Sequence, residues 1–94
     1  MIDLADMKLY LRVDGDEEDG LIASLIAVGT EITEGVIRKK LTEFETLPES
    51  IKQAVMFSTA TLYENRQGGK NGLDMMTMID VIKRMTFAYR QEAF

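Results

Sequence analysis

A chain of 94 residues with 46% hydrophobic and 29% charged side chains has the make-up of one folded domain, residues 1–94, and not of a disordered chain. It has no cysteine and no histidine. That excludes disulfides, thiolate nucleophiles and Cys- or His-ligated metals, and removes the commonest general base. The formal charge of −5 argues against gripping DNA phosphates. The charge is uneven: residues 1–47 carry eleven acids and five bases, residues 48–94 five acids and six bases.

Leu4, Met7 and Leu11 fall on one helical face, which predicts a short first helix over about Leu4 to Arg12. Asp3 is its expected cap, with Asp6 three residues on. No apolar run is expected to approach the ~18 residues of a bilayer span. Acids at Asp3 and Asp6 stand where a signal peptide needs bases, so a cytoplasmic site of synthesis is expected.

Val13-Asp14-Gly15 breaks the pattern, and Asp16 opens the longest predicted helix, to about Lys40. Its expected stripe is Ile22, Leu25, Ile26, Gly29, Ile32, Val36 and Ile37. Acids at its start and Arg38-Lys39-Lys40 at its end suit the helix dipole. Gly29 lies on the stripe, where close approach of a neighbouring helix would offset its poor helix propensity.

Leu41 to Leu47 is a connector containing Phe44 and Leu47. A third helix is expected from near Pro48 to about Gln67, with Ile51, Ala54, Val55, Ser58 and Leu62 inward. Gly68 to Gly72 forms a loop. A fourth helix follows from about Met76 to Met85, with Ile79 and Ile82 inward. Thr86 to Phe94 reads as a docking tail. The expected fold class is all-α: a small bundle of about four helices with one long central helix and an irregular C-terminal tail.

Several patterns invite chemistry. The acidic run Asp14 to Gly20 lacks the Gly and Glu that a calcium loop needs at its sixth and twelfth positions, and reads as a capped helix start. Gly68-Gly69-Lys70-Asn71-Gly72 has Asn71 where a phosphate loop needs Ser or Thr, and no strand precedes it. Glu31 and Glu34 have no partner base and read as a solvated pair. No nucleophile–base pair, metal set or cofactor motif is recognisable. Met75, Met76, Met78 and Met85 suit an irregular core or an adaptable binding surface, with core filling preferred. Tyr63 and Arg66 fit equally a covered core edge or an interface.

The order of these pieces carries a resemblance. Lys8-x-Tyr10-Leu11-Arg12-Val13-Asp14 is followed by Asp19 with Leu21-Ile22, then by Ala27-x-x-x-Glu31-x-x-Glu34. Leu47-Pro48 then opens a helix ending Leu62-Tyr63-Glu64-Asn65-Arg66, and Tyr89-Arg90 stands near the end. Over nearly its whole length the chain resembles the head–tail connector proteins of tailed phages, also described as head-completion, adaptor or DNA-packaging proteins. Leu41 to Leu47 occupies the place where members often carry an aromatic-rich hairpin.

The resemblance implies a non-enzymatic virion protein at the head–tail interface, without a cofactor. It implies a ring of about a dozen copies joined by head-to-tail contacts. The ring would sit between the portal protein and a tail-completion protein and extend the DNA channel. DNA would pass without specific binding, and no membrane is involved. Candidate interface residues are Asp16, Glu17, Glu18, Tyr63, Arg66, Met75, Met76, Tyr89 and Arg90. Acids such as Asp16, Glu17 and Glu18 would repel phosphates if they faced the channel. The alternative is a small acidic helical module that regulates a single protein partner outside any particle. A small enzyme or metal binder is the third reading, disfavoured by the missing His and Cys.

Overall fold

Asp3 begins the first helix, its carboxylate accepting from the Ala5 N–H at 3.4 Å. The computed structural model describes residues 2–65 and 75–89. Their helices are α1 (Leu4–Leu11), α2 (Asp19–Ile37), α3 (Glu49–Asn65) and α4 (Met75–Met85). Short 3-10 turns follow α2 at Leu41–Glu43 and α4 at Phe87–Tyr89. No strand occurs among the described residues, and the fold is all-helical, as the sequence pattern implies. Residues 66–74 and 90–94 lie outside the described part. They include the end expected for the third helix, the glycine loop and most of the C-terminal tail.

Helix α2 begins three residues later than expected. The side chains of residues 16–19 that would start a longer helix are engaged elsewhere. Lys8 holds Asp16 and Asp19, and Glu18 accepts from the Tyr63 hydroxyl. Glu18 therefore precedes the helix at φ −109° with no side-chain cap bond.

Helix α2 also stops before the basic run, because Arg38 turns left-handed at φ 61°. The Arg38 and Lys39 N–H groups both donate to Glu34 O, at 2.8 and 3.3 Å. Arg12 ends α1 in the same way at φ 60°, with the Val13 N–H closing back on Lys8 O at 2.9 Å. Such a position usually belongs to glycine.

Pro48 supplies the carbonyl that receives the Ile51 and Lys52 N–H groups, each at 3.1 Å. It stands just outside α3, where its missing N–H leaves nothing unsatisfied.

The core divides into three patches. Met7, Ile22, Ile26 and Met56 join α1, α2 and α3. Ile37, Leu41, Ile51 and Val55 seal the α2–α3 corner, with Phe44 and Leu47 against them. Ala54, Met78 and Ile82 seat α4, with Ile32, Val36 and Met85 alongside. Leu25 and Leu62, expected inside, are half-buried, and so is Ile79. Thr33, Thr59 and Met78 take the deeper positions.

Helices α2 and α3 make the most extensive contact. Gly29 is the reason they approach closely. A Cβ there would fall 2.7 Å from Thr59 Oγ1 and 3.2 Å from both Thr59 N and Val55 O. Three buried hydroxyls of α2 and α3 donate back along their own helices, whereas the buried Thr30 hydroxyl has no hydrogen-bond partner among the described residues. Thr33 reaches Gly29 O, Ser58 reaches Ala54 O and Thr59 reaches Val55 O, at 2.8–2.9 Å. Polar groups can then be buried without a partner across the interface.

Contrary to the sequence expectation, α2 does reach the length and apolarity at which a helix can cross a bilayer, with 19 residues and a mean hydropathy of 1.5. In this fold it packs against α1, α3 and α4. The expectation rested on uninterrupted apolar runs. Averaging over the helix counts its Gly, Ala, Ser and Thr as well.

Candidate functional site

The acidic corner is built by a lysine. Lys8 lies at the end of α1 with its side chain mostly covered, and its ammonium reaches Asp16 at 3.2 Å and Asp19 at 2.8 Å. The hydrogen bond to Asp19 is the largest influence raising the Lys8 pKa above 10.5. The bond to Asp16 and both carboxylate charges act in the same direction, against desolvation. Glu18 and Tyr63, predicted as separate interface candidates, meet here across 45 residues of chain, with the phenol donating to the carboxylate. Tyr63 and Val13 also pack against the patch centred on Met7. Asp16 and Glu17 stay exposed. The half-buried Glu18 does not point freely to solvent.

A second locus forms at the other end of α2. Lys39 places its ammonium 4.3 Å from the centre of the Phe44 ring, a cation–π distance. Tyr89 also packs on Phe44 in a T-shaped pair, the ring centres 6.1 Å apart at 77°. The described part of the tail therefore docks through Tyr89. Beside it, a groove of about 530 Å³ runs between the last turn of α2 and the Lys40–Glu43 turn, lined in part by Glu31, Gly35 and Arg38.

The candidate residues thus fall into separate places. Asp16, Glu17, Glu18 and Tyr63 share the acidic corner, and Tyr89 sits at the opposite end of α2. Met76 is 79% exposed on α4, so it does not fill the core, whereas Met78 does. Met75 opens α4, but its side chain lies outside the described residues, as do Arg66 and Arg90. Sequence reasoning gave no contact role to Lys8, Leu9, Gly35 or Phe44. Leu9 carried a signal, since it lies off the Leu4–Met7–Leu11 face and is 78% exposed, and so did Gly35, a glycine inside the long helix that costs stability there. Among the described residues no cluster of three or more carboxylates has metal-holding geometry.

Comparison with known proteins identifies the family. The family model described as phage gp6-like head-tail connector protein matches residues 1–85. The chain belongs to that family. Connector proteins are structural components of phages, and membership implies partners in the phage head and tail and a place at the head–tail junction of the virion. The match spans both the acidic corner and the Gly35 groove. No curated protein and no solved structure matched the chain.

Proposed function

We propose that this connector-family chain forms a ring adaptor between the portal and the tail of a tailed phage or prophage, extending the channel through which DNA passes. The observation that carries this reading is the family match over residues 1–85. It is supported by a surface that offers contact residues, namely Leu9, Tyr10, Met76 and Phe87, all exposed. The partners in this reading are the portal protein on one side, a tail-completion protein on the other, and further copies of the chain to about a dozen in a closed ring.

Asp16 and Glu17 are the acids suited to a channel wall. They are exposed, and fixed carboxylates facing the channel would repel phosphates and let DNA slide. Glu18 serves instead to tie α2 to Tyr63.

The decisive experiment mixes the purified chain with portal particles of the phage that encodes it and images them by negative-stain electron microscopy. The expected result is an added ring at the portal mouth, with tails joining only when the ring is present. Portals that stay bare at saturating protein would refute the adaptor role.

A further inference from the structure

Gly35 has no internal reason to be glycine. It lies inside α2, where glycine weakens a helix, yet no atom stands within 4 Å of the position its Cβ would take. It floors two adjoining grooves of about 530 and 390 Å³, which share Glu31, Gly35 and Arg38. One is edged by Lys39 and Lys40, the other by Ile32, Ile79 and Lys83. Helix α2 is long and apolar, but only 33% of its apolar window is buried within the chain. A slab of 43 × 30 × 16 Å leaves such a helix with an uncovered side.

The opposite end of the molecule carries a matching relief. Leu9 is 78% and Tyr10 44% exposed on α1, a helix whose other face is buried through Met7. Leu9 stands between two further grooves, one carrying Asp6, Glu49 and Lys52 and the other Lys8 and Asp19, so that acids outnumber lysines by three to two. Asp14, Asp16 and Glu17 are exposed just beyond it.

We propose that the Leu9–Tyr10 ridge of one copy seats in the Gly35 groove of the next copy of this chain. The apolar ridge meets Ile32, Gly35 and Ile79, and Asp6 on its flank faces Arg38, Lys40 and Lys83; Asp16 and Glu17 lie outside this contact. The groove has carboxylates of its own, but Glu34 already accepts from the Leu41 N–H at 2.8 Å and Glu43 from the Lys40 N–H at 3.2 Å. The two grooves together set Arg38, Lys39, Lys40 and Lys83 against Glu31, Glu34 and Glu43, an excess of one positive charge. Asp19 and Gly35 lie about 24 Å apart along α2 at 1.5 Å per residue, so ridge and groove of one chain cannot meet each other. Two different patches on opposite ends make a heterologous contact, which propagates into a ring when the rotation closes. This inference rests on the ring reading and names the surfaces that would build it.

The absence of cysteine from the chain gives a clean test. Chains carrying Leu9→Cys and chains carrying Gly35→Cys are mixed in equal amounts on portal particles and oxidised. The mixed disulfide should exceed either homodimer at least tenfold, and a chain with both changes should give a ladder of linked copies. As a second variant, Gly35→Leu should fold with an unchanged circular dichroism spectrum and fail to form rings. Rings that form without the mixed disulfide, or in which homodimers equal it, overturn this contact and leave the ring reading intact. No rings and no disulfide at any concentration overturn both. Flotation of the unmodified chain with phosphatidylcholine–phosphatidylglycerol vesicles, abolished by Gly35→Leu, would assign the groove face to lipid and also overturn the proposal.

Discussion

Replacing Gly29 with alanine should destabilise the fold although alanine is the better helix former. The new methyl would sit 2.7 Å from Thr59 Oγ1, an oxygen whose hydroxyl is held by its hydrogen bond to Val55 O at 2.8 Å. Turning Thr59 away would forfeit that bond, and the two backbone atoms at 3.2 Å cannot yield unless α3 moves. Overpacking of this kind costs about 1–3 kcal/mol. The gain in helix propensity returns about 1 kcal/mol, leaving a net loss of up to about 2 kcal/mol. For a chain of this length, with an unfolding entropy of about 0.2 kcal/mol per kelvin, Tm should fall by up to about 10 °C. Gly35→Ala is the internal control, because its methyl enters open space and Tm should rise by up to about 5 °C. Thermal melts by circular dichroism decide it. A Gly29→Ala variant that melts at or above the parent would refute the close-approach explanation.

Arg38→Gly should raise stability by about 1 kcal/mol, since glycine adopts the left-handed turn at φ 61° without the steric penalty; urea unfolding at neutral pH measures it. The Lys8 clamp should show a specific pH limit. A lysine whose folded pKa is raised contributes its stability in full below 10.5 and loses it as pH climbs past 10.5 and through the folded value. The Tm difference between the parent and Lys8→Gln should therefore be steady from pH 7 to pH 10 and shrink above that. A difference unchanged at pH 12 would contradict the ion pair. Tyr63→Phe removes the donor to Glu18 and should cost about 1 kcal/mol at this half-buried site, read by the same melts. Equal stability of Tyr63→Phe and the parent would show that the bond contributes nothing.

The helix order was legible because each helix carries its own apolar period, and the close approach at Gly29 was legible because a glycine stood on that stripe. The start of α2 was not. Three acids in the run are drawn off by Lys8 and Tyr63, and the partner of Glu18 lies 45 residues away, beyond any local pattern. The end of α2 was misplaced for a related reason. Arg38 looks like a good helix residue with dipole-matching charge, yet it takes the left-handed position usually held by glycine. The threonines of α3 were not among the residues expected inside, yet Thr59 and Thr61 are buried, because a hydroxyl that bonds its own helix is buried at little expense. The interface candidates were chosen by residue type. Residue type pointed Tyr63 and Tyr89 toward a partner protein, whereas the fold gives each a contact within the chain, with Glu18 and Phe44, that type alone does not reveal.

The inward-turned hydroxyls have a mechanical consequence. Thr33, Ser58 and Thr59 donate along their own helices, so these donors make no directional bond across the middle of the α2–α3 face. That face is held by shape, with a tight point where Gly29 meets Thr59. Small rotations of one helix about that point sacrifice none of these three bonds, whereas sliding along the axis collides with the Thr59 backbone. A small twist between α2 and α3 is therefore opposed by less than a slide along their axes.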